Sequence, residues 1–155
     1  MPNRPAKEDP RIEPASQPAP KADVNTFRIL CTHAQDGTFA GWLDYSGPGN
    51  WVYLTGDAGT PGGMIFEDYY YGGERFLVPV GTYVGNDRYL GANGTSGDGP
   101  AAWNLWARAT AISWDGNGLI KIAANQAQYL TDHGKGYVYW GSSQVTALNC
   151  KRVPA

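Results

Sequence analysis

The sequence predicts an all-β domain that follows an unstructured tail. All 20 aromatic residues and all 21 glycines lie from Phe27 onward, whereas 6 of the 11 prolines lie within residues 1–26. After residue 26, short runs of β-branched, aromatic and leucine residues alternate with glycine, asparagine and aspartate, as in strands joined by tight turns. No window of about 11 residues shows a helical hydrophobic period. The length fits one domain of residues 27–155 plus the tail.

Twelve segments have the composition of strands. The segment between Trp103 and Ile112 comes nearest to a helical pattern, and its threonine and tryptophan content favours a strand. A dozen short strands at this spacing indicate a barrel or a sandwich. In chain order the segments are Phe27–Thr32, Phe39–Tyr45, Trp51–Thr55, Met64–Asp68, Arg75–Val80, Thr82–Val84, Arg88–Gly91, Asn104–Thr110, Leu119–Ala123, Gln128–Thr131, Tyr137–Trp140 and Ala147–Val153.

Tight-turn signals separate these segments. Asp36-Gly37 and Asp115-Gly116-Asn117-Gly118 are typical of hairpin turns, and His133-Gly134-Lys135-Gly136 joins two of the last strands. The tail, residues 1–26, carries prolines among alanines and charges, which favours extended backbone and leaves nothing to bury. We expect the tail to be disordered.

The dipeptide Tyr-Leu recurs three times. Tyr53-Leu54, Tyr89-Leu90 and Tyr129-Leu130 are 36 and 40 residues apart, and a glycine-rich loop follows each pair. This spacing predicts three β-units of about 40 residues whose tyrosines and leucines form a shared core that no single unit could bury.

Three such units resemble a β-trefoil, and their motifs are similar to those of its fascin-like branch. The segments 118–124, 128–131 and 134–140 are similar to its first three elements, and Gly73–Val78 is similar to its Glu-x-Phe strand. The resemblance implies a β-trefoil barrel of about twelve short strands with pseudo-threefold repeats. It also implies lectin-type binding, by analogy with the fold alone.

A second resemblance competes locally. Met64–Asp68, followed by Tyr71, Gly73, Gly81 and Tyr83, is similar to one Greek key of the βγ-crystallins. Members of that family bind calcium through an Asn/Asp pair with hydroxyl ligands after it, and Asn86-Asp87 lacks those hydroxyls. Another barrel or a sandwich remains a third alternative.

Charge and motif content argue against several functions. The net charge is −2 and no basic stripe is present, so we expect no nucleic-acid partner. The apolar runs are too short for a membrane helix, and we expect no membrane insertion. The sequence lacks a nucleophile elbow, a zinc-protease motif and a phosphate loop, so we expect no enzyme, no metal and no cofactor.

Aromatic residues beside turns are the better functional signal. Tryptophan and tyrosine faces can stack on sugar rings while neighbouring polar groups bond the hydroxyls. The sequence therefore predicts a non-catalytic carbohydrate-binding module or lectin, monomeric, and secreted, periplasmic or displayed on the cell surface. The alternatives are a protein-interaction or inhibitor domain and a calcium-binding crystallin-like protein. The candidate sugar-binding residues are Tyr70 in the first aromatic group, Trp103, Asn104 and Trp106 in the second, and Asp132, His133, Tyr137 and Tyr139 in the third.

The third group is the leading candidate site. If Val138 faces the core, Tyr137 and Tyr139 face outward together. Trp140 then lies in the core or at its rim.

Two cysteines lie near opposite ends of the predicted domain. We expect Cys31 and Cys150 to be neighbours, because their strands open and close the domain. They would form a disulfide in an oxidising compartment, and the alternative is a pair of buried free thiols.

Overall fold

The computed structural model describes residues 26–46, 50–80, 89–92 and 99–155. The predicted strand Thr82–Val84 and the crystallin-like residues beyond Val80 fall outside these ranges, as does the tail up to residue 25. Thirteen strands lie within the described ranges, and their pairings are all antiparallel. They are β1 (Phe27–His33), β2 (Phe39–Ser46), β3 (Trp51–Thr55), β4 (Phe66–Tyr71), β5 (Glu74–Pro79), β6 (Tyr89–Ala92), β7 (Gly99–Asn104), β8 (Ile112–Ser113), β9 (Asn117–Leu119), β10 (Lys121–Ile122), β11 (Asn125–Gly134), β12 (Tyr137–Gly141) and β13 (Leu148–Pro154).

Three hairpins meet pairwise and form a cap. The hairpins are β2–β3, β6–β7 and β11–β12, and the second strand of each pairs with the second strand of the other two. Among the remaining strands, the paired neighbours run in the order β5–β4–β1–β13–β9. Strand β8 pairs with β10, and β5 lies beside β8. The fold is all-β, as the sequence predicts, and this arrangement of three hairpins is β-trefoil-like.

Alternating burial along the strands builds the main core. In β3, Val52 and Leu54 are buried while their neighbours are partly exposed. In β12, Val138 and Trp140 are both 1% exposed. Each strand therefore gives one face to the interior, and burying such side chains contributes about 1.5–3 kcal/mol apiece.

Strand β5 is buried on both faces from Phe76 to Pro79, because a second, smaller core covers its outer side. Phe66 and Leu77 point into the main core, whereas Phe76 joins Tyr89 and Trp106 in the second cluster. This second core needs a short 3₁₀ turn, Trp106–Arg108, which lies inside the segment 104–110 that the sequence predicts as a strand. That prediction is wrong after Asn104, because the backbone turns so that Trp106 can cover Phe76, with ring centroids 4.8 Å apart.

The Tyr-Leu repeat is displaced in its first unit. Leu90 and Leu130 lie on the first strands of their hairpins, but Leu54 lies on the second strand of its hairpin. The matching position in the first hairpin is Leu43, on β2, which is fully buried like Leu90 and Leu130. The predicted burial is correct at Leu90 and Leu130, whereas the first member of the layer is Leu43 rather than Leu54, because Trp42 replaces tyrosine there and hides the repeat. The prediction that all three tyrosines join this core is wrong at Tyr53, which is partly exposed on the side of β3 opposite to Val52 and Leu54.

The two chain ends of the domain pair side by side. Strands β1 and β13 align antiparallel with Cys31 opposite Cys150, which confirms that the two cysteines are neighbours. Both are buried free thiols in this structure, and the Cys31 Sγ donates to the Cys150 Sγ over 4.0 Å. The predicted disulfide is therefore not formed here. The pairing continues past β1, where Thr26 exchanges hydrogen bonds with Ala155.

No described helix is long and apolar enough to cross a membrane.

Candidate functional site

The outer face of the cap carries the leading candidate site. Tyr53 on β3 lies opposite Tyr137 on β12, and their rings meet edge to face with centroids 5.0 Å apart. Tyr137 is 37% exposed and Tyr139 is partly exposed, while Val138 between them is buried. The predicted outward orientation of both tyrosines is thus confirmed.

His133 lies flat on Tyr139. The two ring centroids are 3.6 Å apart and the planes differ by 7°. The pairing of β11 with β12 shifts register between Asp132 and Gly134, and this bulge places the His133 ring over the Tyr139 ring. One face of Tyr139 is therefore covered by imidazole, and Tyr137 offers the more accessible ring.

The turn before Tyr137 is held against Tyr53. Gly136 has a φ of +88°, and a Cβ at this position would lie 2.4 Å from Cζ of Tyr53. Its carbonyl oxygen accepts a hydrogen bond of 2.8 Å from the backbone N–H of Leu54. Only glycine allows this approach, so the turn fixes Tyr137 relative to Tyr53.

Asp132 acts as an anchor below the site rather than as a free acceptor. Its Oδ2 lies 2.7 Å from Nε2 of His33, and its Oδ1 accepts the backbone N–H of Gly134 over 2.9 Å. His33 Nδ1 lies 2.9 Å from the Thr38 hydroxyl. Both carboxylate oxygens of Asp132 are thereby engaged within the protein.

The same network extends to the turn after β1. The Thr38 hydroxyl and backbone N–H both donate to Asp36 Oδ1, at 2.7 Å and 3.0 Å. These hydrogen bonds, the backbone one foremost, lower the pKa of the Asp36 carboxyl.

Two members of this face were not predicted. Trp51 and Tyr53 share the outer side of β3, since Val52 and Leu54 between and beyond them are buried. Strand β7 lies between Trp51 and Tyr139. Its residues opposite them are small, namely Ala102 opposite Trp51 and Pro100 opposite Tyr139. The sequence signal for them is the alternation along β3, which conflicts with the prediction that Tyr53 faces the core as part of a Tyr-Leu pair. We call Trp51, Tyr53, His133, Tyr137 and Tyr139 the cap aromatic face.

The chain is similar in fold to solved structures of another protein. The structure of the lysenin pore matches with a TM-score of 0.54 and 15% identity, over 83% of this chain and 46% of that chain. The complex of lysenin with phosphocholine matches with a TM-score of 0.55 and 15% identity, over 83% and 44%. The chain is similar in fold to lysenin. It spans less than half the length of those lysenin chains, and at this identity the likeness shows the fold alone.

No family model matches the chain, and no curated protein matches it.

The second predicted aromatic group is not accessible. Trp103 and Trp106 are each 1% exposed, so neither can offer a ring face to a ligand, and this part of the prediction is wrong. Trp103 stacks on Phe66 in the main core at 5.5 Å, because its position on β7 points inward. The Asn104 Nδ2 donates to the Ala92 carbonyl oxygen over 3.2 Å, which is a contact within the β6–β7 hairpin.

The first predicted aromatic group lies on another part of the molecule. Tyr70 is 66% exposed and Tyr71 is 45% exposed at the end of the β4–β5 hairpin, whereas Tyr69 is partly buried against Trp106. The expectation that the three tyrosines cannot all be buried is confirmed. The structure does not bring Tyr70 together with the cap aromatic face, and the ring contacts of its neighbours Tyr69 and Tyr71 are to Tyr89 and Trp106.

Acidic and metal-ligating side chains form no separate centre among the described residues. No three histidine, cysteine, aspartate or glutamate side chains converge there. Asp68, one of the carboxylates near the β4–β5 hairpin, is engaged by Arg75 and Arg152.

Proposed function

We propose that the chain is a non-catalytic carbohydrate-binding module on a β-trefoil scaffold and that the cap aromatic face is its ligand site. The observation that carries the proposal is the pre-set arrangement of Tyr53, Tyr137, Tyr139 and His133 on one outer face. Their rings are fixed by a strand pairing, a bulge and a glycine turn, so little side-chain entropy remains to be lost when a ligand binds.

The chemistry of the face fits a small uncharged polyol. The exposed ring of Tyr137 can stack on the C–H side of a sugar, and tyrosine hydroxyls give polar contacts at the edge of the same rings. His133 and Lys135 are exposed beside Tyr137 and can bond sugar hydroxyls. Both oxygens of Asp132 already accept hydrogen bonds within the protein, so its role in this proposal is to support the site. A secreted or surface location belongs to this proposal.

A choline headgroup is the second candidate. Several tyrosine rings and one tryptophan on one face are a suitable surface for a quaternary ammonium, which is attracted to ring faces. The edge-to-face pair of Tyr53 and Tyr137 forms a corner of the kind such a cation enters. The similar fold in the complex of lysenin with phosphocholine supports testing this ligand.

Titration calorimetry with a panel of neutral sugars and with phosphocholine tests both candidates. Tyr137→Ala should abolish binding of the true ligand, and Tyr53→Ala should weaken it, with the melting temperature of each variant recorded. Tyr71→Ala is the matched control, because it removes a tyrosine of similar exposure, 45% against 37% for Tyr137, from another hairpin. If neither a sugar nor phosphocholine binds, or if Tyr71→Ala abolishes binding while Tyr137→Ala leaves it unchanged, the proposed site is wrong. Phosphocholine binding that Tyr137→Ala abolishes, with no sugar bound, would favour the second candidate over the first.

A further inference from the structure

Two arginines share one aspartate of strand β4, outside the three hairpins that form the cap. Asp68 receives Arg75 in a two-point contact, with Nε at 2.8 Å from Oδ1 and Nη2 at 3.0 Å from Oδ2. Arg152 on β13 brings Nη2 within 2.6 Å of the same Oδ2. One carboxylate thus faces two guanidinium groups, which leaves this trio with one excess positive charge.

The two arginines differ in how many of their guanidinium nitrogens have a hydrogen-bond acceptor. All three nitrogens of the Arg75 guanidinium group have acceptors, since Nη1 also donates to the Trp114 carbonyl oxygen. Arg152 donates to Asp68 only through Nη2, and its Nε and Nη1 have no acceptor in the part of the chain that the structure describes. The Arg152 side chain is 31% exposed, against 13% for Asp68 and 15% for Arg75. The unused donors therefore belong to the most accessible member.

Aromatic rings hold Arg152 in place. Its guanidinium carbon lies 4.2 Å from the centroid of the Phe27 ring and 5.3 Å from that of Trp114. Its backbone N–H donates to the Gly116 carbonyl oxygen over 2.8 Å. A guanidinium group fixed in this way loses little freedom on binding a ligand, which favours recognition of a planar or tetrahedral oxyanion.

An exposed aromatic ring stands beside this cation. Tyr70 lies on the same face of β4 as Asp68, two residues along, and directly opposite Arg75 on β5. Two residues of strand span about 7 Å, so one small molecule can reach from the arginine pair to the Tyr70 ring. The nearby acid Asp115 is exposed and accepts the backbone N–H of Asn117.

We propose that Arg152 and Tyr70 form a second ligand site, for a small molecule that carries a carboxylate, sulfate or phosphate group. Arg152 donates its free N–H groups to the oxyanion, and Tyr70 packs on the adjoining part of the molecule. Arg75 and Asp68 position Arg152. The site does not depend on the proposed sugar site at the cap, which has no arginine.

Calorimetry and thermal unfolding with three probes test this site at constant ionic strength, with sodium chloride as the reference. The probes are sodium sulfate, glucuronate as a sugar acid and phosphocholine as a lipid headgroup. We expect sulfate and at least one organic probe to bind. The tighter of the two organic probes identifies the source of the oxyanion.

Variants separate a specific site from a general charge effect. Arg152→Gln should weaken binding by about tenfold or more, as expected for a lost charge-assisted hydrogen bond. Arg152→Lys should weaken it too, because lysine keeps the charge but lacks the planar fork. Tyr70→Ala should weaken glucuronate or phosphocholine but not sulfate. Lys151→Gln is the matched control, since it removes one exposed positive charge from the same strand and should change little.

Two results would overturn the proposal. One is that no probe binds more tightly than chloride, and the other is that Lys151→Gln weakens binding as much as Arg152→Gln. If Arg152→Gln fails to fold, Arg152→Lys and Tyr70→Ala still decide the question. Unchanged binding in Tyr137→Ala shows that the two sites are separate.

Discussion

The His33 Nε2 and the Asp132 Oδ2 lie 2.7 Å apart although the two residues are 99 positions apart in the chain. The contact ties the end of β1 to the long strand β11, which carries His133. The neighbouring backbone supports it, since Ala34 N–H donates to the Ala147 carbonyl and Asp132 N–H donates to that of Thr146. The strand pair at the chain termini is thereby coupled to the hairpin that presents Tyr137 and Tyr139.

His33→Ala and Asp132→Asn should be non-additive. Each change removes one partner of a partly buried pair, and the double variant should lose less stability than the sum of the single losses. We expect a coupling free energy of about 1 kcal/mol, typical of a hydrogen bond that is not fully buried. Urea unfolding of the four proteins measures it. Additive losses within about 0.3 kcal/mol would show that the pair contributes nothing.

Leu43→Ala, Leu90→Ala and Leu130→Ala should each cost about 2–5 kcal/mol of unfolding free energy, because each removes a fully buried side chain from the main core. Leu105→Ala is the control, since Leu105 is 47% exposed and should change stability by less than about 0.5 kcal/mol. Chemical denaturation gives these values. Near-neutral results at Leu43 would argue against its place in the leucine layer.

Gly136→Ala should destabilise the protein more than Gly134→Ala. Both glycines have positive φ, at +88° and +107°, so both changes strain the backbone. Only the alanine at 136 would also collide with the Tyr53 ring, because nothing lies within 4 Å of a Cβ at 134. We expect a difference of about 1–3 kcal/mol by thermal or urea unfolding.

In the background Tyr53→Ala, the extra cost of Gly136→Ala should disappear. If the difference from Gly134→Ala persists there, the ring is not its cause.

The buried Cys31 thiol should make stability depend on pH in the alkaline range. The hydrogen bond with Cys150, and then burial, raise the pKa of the Cys31 thiol well above its ordinary value. The unfolded chain therefore releases this proton at a lower pH than the folded chain. The stabilisation is complete below the ordinary thiol pKa and is lost as the pH rises above it.

Urea unfolding at about pH 7.5 and about pH 10 measures this dependence, with Cys31→Ala as the comparison. The wild type should lose more stability than the variant between the two pH values. Equal losses would show that the thiol is not responsible. A thiol reagent should also react with both cysteines only after unfolding, because both are fully buried.

Local patterns in the sequence were sufficient for some parts of the site. The alternation Tyr137-Val138-Tyr139-Trp140 correctly predicted which rings face outward, because a strand imposes its period of two wherever one side is buried. The same reasoning applied to single residues failed at Trp103 and Trp106. A tryptophan beside a turn is accessible only if no other element covers it, and here the β4–β5 hairpin covers Trp106.

The sequence by itself determined the all-β class, the positions of most strands and the buried leucines Leu90 and Leu130. These follow from local periodicity, turn residues and the need to bury apolar faces, which are properties of short segments. Tertiary structure alone decided that His33 meets Asp132, that Tyr53 joins Tyr137 and that two arginines meet at Asp68. Those contacts join residues far apart in the chain, and their geometry depends on strand register and bulges that no local pattern specifies.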